Sequence, residues 1–108
     1  MPYGYIGSMR ARAGRRDEVI EILLSGADGL RAAGCQLYAV CAAPAGAAPA
    51  DEDLIWVSEI WESAEHHDAS LQLPETRAAI ARAMPMLTGE FTRQELTVVG
   101  GLGVAGAG

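Results

Sequence analysis

Both tryptophans and both histidines of the chain fall within the fifteen residues Trp56 to Ser70, "WVSEIWESAEHHDAS". Histidine is the side chain whose ordinary pKa lets it take and return a proton near neutral pH. Tryptophan supplies a flat apolar wall with one donor at its edge. Together they can enclose an aromatic substrate and deprotonate it, or they can simply fill a core. Glu59 adds a carboxylate between the two tryptophans. Among apolar neighbours on a covered strand it needs a partner or carries a raised pKa, which makes it a second candidate base. The choice between these readings depends on which side chains point the same way, and so on the elements that carry them.

Leu54 to Trp61 reads as a strand, so Ile55, Val57, Glu59 and Trp61 share one face, and Leu54, Trp56, Ser58 and Ile60 share the other. Ser63 can cap a short helix running to about Leu71, with Glu65 and Asp68 near its start. On that helix His67, three after Ala64 and four before Leu71, takes the apolar side, while His66 turns outward on the side of Ser70 and Leu73. Trp61, Glu59 and His67 are thereby left on one side and Trp56 on the other. Adjacent histidines diverge on a helix and no third ligand is well spaced, so no metal site is expected.

The remaining elements follow from the same periodicities. Tyr3 to Ala11 is a first strand with Tyr3, Tyr5 and Met9 on one face. Gly14 opens a helical stretch in which Val19, Ile22, Leu23, Ala27 and Leu30 form the buried stripe and Gly34 is the stop. Cys35 to Ala42 is a second strand, with Cys35, Leu37 and Cys41 on one face and Tyr38 and Val40 on the other. "APAGAAPADED" is the loop that joins it to Leu54. Pro74 suits the first position of a helix, "PETRAAIARAM", which Pro85 helps to end; Gly89 begins a turn and Glu90 to Val99 is a fourth strand. The order β-α-β-β-α-β predicts an α+β, ferredoxin-like split βαβ fold: one four-stranded antiparallel sheet with helices on one face. Residues 1–100 read as a single domain and 101–108 as a flexible Gly/Ala-rich tail.

Composition narrows the function classes. The 108 residues carry a net charge of -6, which argues against a nucleic-acid partner, and the arginines at 10, 12, 15 and 16 read as a solvated face. There is no Lys, which excludes a Schiff base or a P-loop lysine, and no Asn. No apolar run reaches membrane-spanning length and "MPYGYIGSMR" lacks a signal-peptide apolar segment, so no membrane partner and a cytoplasmic location are expected. Cys35 and Cys41 would lie about 20 Å apart along one strand, too far to pair, so reduced thiols are expected. Both faces of the third strand are apolar and the helices can cover only one. The other, with Leu54, Trp56 and Ile60, calls for a homodimer in which two sheets face each other.

"SEIWESAEHHDASLQLPETRAAIARAMPML", followed by a strand and "VGG", resembles the antibiotic biosynthesis monooxygenase superfamily. The matching features are the Glu-x-Trp strand end, the Ser-Leu-x-Leu-Pro-Glu helix joint and the C-terminal Gly-Gly. The resemblance implies a small dimeric α+β barrel, a group that includes quinol monooxygenases, and cofactor-free oxygenation of a hydroquinone or anthrone-like aromatic. Neither metal nor flavin is implied, because the deprotonated substrate itself reduces dioxygen. It places Trp61 where anthrone-oxidising and haem-degrading members have a pocket tryptophan, and His67 where some members have a Tyr. Val57 stands where anthrone-oxidising members have an Asn, and the family's helix Arg aligns with Ala81, flanked by Arg77 and Arg82. The resemblance thus implies His67 as proton acceptor, Trp61 as aromatic wall, Glu59 and Arg82 as lesser catalytic candidates, and Tyr5, Tyr38, Val57 and Ser70 as substrate-binding residues. Two alternatives stand beside it: a non-catalytic small-molecule-binding or stress-response dimer, and a haem-binding member. The haem-degrading triad itself is disfavoured, since Leu71 or Gln72 replaces its His and its first-strand Asn is missing.

Overall fold

Alternation along Tyr3–Ala11, Cys35–Ala42, Leu54–Trp61 and Leu87–Thr97 produces four strands, β1 to β4, in the computed structural model, which describes residues 1–104. Between β1 and β2 lie α1 (Arg16–Ser25), α2 (Ala27–Leu30) and a 3-10 turn at Arg31–Ala33. Between β3 and β4 lie α3 (Ala64–Ser70), α4 (Pro74–Ala83) and a 3-10 turn at Met84–Met86. The strands form one antiparallel sheet in the order β2-β3-β1-β4, with the helices on one side, so the ferredoxin-like α+β fold expected from the element order is the fold observed.

Under α1 and α4 the sheet is wholly apolar. Ala11, Val19, Ile55, Ala83, Met86 and Leu87 are buried together, with Met9, Ile20, Ile22, Leu23 and Val40 packed around them. Val19 and Ile55 are fully buried, each stabilising the fold by about 1.5–3 kcal/mol. On the opposite side of the sheet Ile6, Leu37, Trp56 and Leu96 are exposed, with Leu54 and Ile60 half-buried between them. The N-terminal arginines do lie at the surface in ion pairs: Arg10 with Glu90 at 2.8 Å, Arg15 with Glu18 at 3.0 Å and Arg16 with Asp17 at 3.2 Å.

Three local expectations change. The first helical stretch begins at Arg16 and breaks at Gly26, where a residue without a side chain does little to hold a helix and the Ser25 hydroxyl donates back to the Ile22 carbonyl at 2.7 Å. Cys35 does not share a face with Leu37: the register slips between them, and Cys35 ends on the helix side opposite Trp61 while Leu37 pairs with Ile60. The fourth strand starts at Leu87 and runs through Gly89, whose φ of 93° lets β4 bulge: Ala11 pairs with Leu87 and Met9 with Phe91, so three β4 residues stand against one of β1. Of the predicted tail, residues 105–108 lie outside the described residues.

Candidate active site

At the end of the sheet away from the apolar core, register alone assembles a grid of side chains on the helix-facing side. Trp61 of β3 is opposite Tyr3 of β1, and Tyr3 opposite Thr97 of β4. The next row is Glu59, Tyr5 and Glu95, and the next Val57, Gly7 and Arg93. β2 extends the first two rows with Cys35 beside Trp61 and Tyr38 beside Glu59.

α3 delivers one imidazole onto this grid. The Ser63 side chain accepts from the His66 backbone N–H, as expected of a capping serine, and the His67 N–H continues the turn to the Ser63 carbonyl. His67 is then only 6% exposed. Its ring sits 5.0 Å from that of Tyr5 and nearly parallel to it, 5.2 Å from that of Tyr3, and edge-on to Trp61 at 5.7 Å. His67 Nδ1 lies 3.1 Å from the Asp68 carboxylate, which fixes the ring's orientation. The Ser70 hydroxyl is buried behind it and donates to the His67 carbonyl at 2.6 Å, so Ser70 holds the helix rather than facing outward with His66.

Glu59 finds its partner next door, where Trp61 Nε1 donates to its carboxylate at 2.9 Å. Burial pushes its pKa above the usual carboxylate range, against the lowering effects of that hydrogen bond and of the His67 charge. Burial likewise raises the phenol of Tyr38 and the thiol of Cys35 beside it. Tyr3 is pushed up to about 12, first by burial and then by the hydrogen bond it donates to Glu95 at 2.8 Å. The Arg93 guanidinium stands 5.9 Å from the centre of the Tyr5 ring.

The sequence-derived candidates thus fall into two groups. His67, Trp61, Glu59, Tyr5, Tyr38, Val57 and Ser70 converge on this end of the sheet, whereas Arg82 is exposed on α4. His66 is half exposed, 3.6 Å from Glu62, with its ring covering Gly34 so closely that a Cβ there would stand 2.7 Å from Cδ2. Sequence reasoning missed Asp68, Tyr3, Arg93 and Glu95 as members of the cluster. Tyr3 already shared a face with Tyr5; the two β4 residues needed the β1–β4 register, which no single strand reveals. Among the described residues no group of three His, Cys, Asp or Glu is arranged to hold a metal ion. Two surface clefts, of about 300 and 290 Å³, open around the β2–β3 loop, one beside Arg16 and Glu52, the other beside Cys41, Leu54 and Trp56; neither includes a residue of the His67 cluster.

A split βαβ sheet whose helix side ends in aromatic rings around one buried histidine defines a small α+β domain with an imidazole enclosed at one end. Residues 2–82 match the family model of antibiotic biosynthesis monooxygenases, and the chain belongs to that family, as the Trp61-to-Pro74 motifs implied. A solved structure from Chloroflexus aurantiacus, named for the same family, is 41% identical over 100% of both chains, with a TM-score of 0.78. Similarly named structures from Caulobacter crescentus (19% identity, 92% of this chain and 91% of that one, TM-score 0.77) and Deinococcus radiodurans (19%, 98% and 100%, 0.72) share the fold. No curated protein is similar enough to count as a match.

Proposed function

We propose that the protein is a cofactor-independent monooxygenase that oxidises a hydroquinone or anthrone-like aromatic with dioxygen. The observation that carries this reading is His67, buried between three aromatic rings and oriented through Nδ1 by Asp68. An anthrone-like methylene gives its proton to the imidazole, and the resulting carbanion is spread over the ring system. That anion reduces dioxygen and bonds to it, and the peroxide takes the proton back. Cleavage of the O–O bond then releases water and leaves a carbonyl, so one CH2 and one O2 become C=O and H2O. Enclosure by Trp61 and Val57 keeps bulk water from the anion. In this reading Glu59, pushed toward its neutral form by burial, and the Tyr38 phenol paired with it across β2–β3 donate to developing negative charge. Arg82, exposed on α4, receives no role here; Arg93 is the cation beside the rings.

The proposal includes a homodimer in which the exposed sheet faces meet through Leu54, Trp56 and Ile60. It is supported by the contiguous apolar side chains there. A dimeric mass in light scattering at micromolar concentration, lost in Trp56→Glu, is the expected result. No described helix is long and apolar enough to cross a membrane, which suits the cytoplasmic location we propose.

One observation favours a second reading, a non-catalytic small-molecule-binding dimer. Val57 is buried at the position where anthrone-oxidising members have an Asn. Oxygen consumption with a panel of hydroquinones and anthrones separates the two. Uptake that is lost in His67→Ala supports the oxygenase; no uptake across the panel supports the binding protein.

A further inference from the structure

Gly7 lies at the centre of the helix-facing grid, between Val57 and Arg93, and contributes no side chain there. The Tyr5 ring folds along β1 into that vacant place. A Cβ on Gly7 would stand 3.0 Å from Tyr5 Cε1 and 3.2 Å from its hydroxyl oxygen. In this pose the phenol is held by three contacts: the glycine bed beneath it, the imidazole of His67 within 24° of parallel, and the guanidinium of Arg93 near its face. The hydroxyl of Tyr3 is tied to Glu95, whereas that of Tyr5 makes no hydrogen bond among the described residues. Nothing in these contacts requires the ring to be covalently part of β1. Any phenol ring of the same size reproduces them. Tyr5 is also half-buried, and the neighbouring β4 residues Phe91, Arg93, Glu95 and Thr97 are exposed, which leaves its ring a side on which to swing out.

We propose that the place above Gly7 is a binding site for a monocyclic phenol or hydroquinone ring, and that Tyr5 is its internal occupant, which must rotate toward β4 before such a ring enters. The ring then stacks on His67 as Tyr5 does now, with Arg93 beside its oxygen-bearing edge. This deepens the oxygenase reading, and rests on it for the claim that the bound ring is a substrate; the site itself is tested by binding alone. It makes Tyr5 a competitor of the ligand rather than a wall of its pocket.

The test is binding of 4-methylphenol, the tyrosine side chain as a free molecule, to wild type and to Tyr5→Ala, Tyr5→Val and Tyr5→Phe. Titration followed by NMR of the His67 ring protons reads both affinity and position. Truncation to Ala or Val is expected to tighten binding at least tenfold, with an upfield ring-current shift at His67; two truncations are used so that one folded variant suffices, checked by circular dichroism. Tyr5→Phe keeps the site filled and should bind no better than wild type. Gly7→Ala is not used, because its Cβ would also meet the Thr92 carbonyl at 3.1 Å. Truncated variants that bind no more tightly than wild type, binding without the His67 shift, or a Tyr5→Phe protein that binds as tightly as the truncated variants would each overturn the proposal. Oxygen uptake by the same variants judges the oxygenase reading separately, since a ring can bind above Gly7 with no turnover.

Discussion

Beneath α1 and α4, the helix-facing side of the sheet is closed by the apolar cluster of Ile55, Ala11, Val19, Ala83, Met86 and Leu87. Four residues further along β3, the same side of the same sheet holds Trp61, Glu59, Tyr3, Tyr5 and a buried histidine. The first region is what stability alone selects, since burying apolar area there has no offsetting cost. The second is an inefficient way to stabilise a fold. Burial works against the charge of Glu59, and a histidine occupies space that a leucine would fill more favourably. The contrast between this apolar end and the end we propose as the active site is what substitutions can probe.

The largest expected effect comes from His67→Phe, which keeps an aromatic ring in the cage and removes the proton acceptor we propose. Oxygen uptake should fall about 10²- to 10⁴-fold, while the urea midpoint moves little. A large loss of stability with uptake retained would merge the two regions. The converse substitution is Ile55→Ala at the apolar end. It should cost about 2–5 kcal/mol in urea unfolding, with kcat per folded molecule unchanged below the transition.

A smaller effect separates the regions by pH. Because burial raises the Glu59 pKa above its ordinary 4.5, the native state favours the neutral carboxyl. That contribution is complete below pH 4.5 and is lost as pH rises through the raised value. Wild type should therefore lose stability across that interval relative to Glu59→Gln, which can still accept from Trp61. Parallel urea midpoints for the two proteins from pH 4 upward would remove Glu59 from the argument. The smallest effect is expected for His66→Ala. Its exposed pairing with Glu62 stabilises by about 0–1 kcal/mol, and uptake should not change, in contrast to its neighbour.

That contrast between His66 and His67 is legible from helix parity, and strand parity puts Ile55, Val57, Glu59 and Trp61 on one face equally well. Parity failed where the chain slips by one residue. The irregularity between Cys35 and Leu37 moves Cys35 to the helix side, and the bulge of β4 at Gly89 lets that strand begin before its expected turn. Helical spacing alone puts Ser70 with the outward histidine; in the fold, three residues after His67, its hydroxyl closes back onto that residue's carbonyl.

What the sequence by itself determined is everything that local periodicity encodes: the element order, the ferredoxin-like arrangement, the family resemblance, and which of the two histidines turns inward. Alternation and helical spacing act over a few residues, and the short chain leaves few ways to combine the elements. Only the tertiary structure decided that β4 lies against β1, which brings Arg93 and Glu95 to Tyr5 and Tyr3 from some ninety residues away. It also decided that Asp68 orients His67 and that the partner Glu59 needs is Trp61. Pairing between distant strands depends on the summed packing of whole faces, and no residue in either strand carries that information alone.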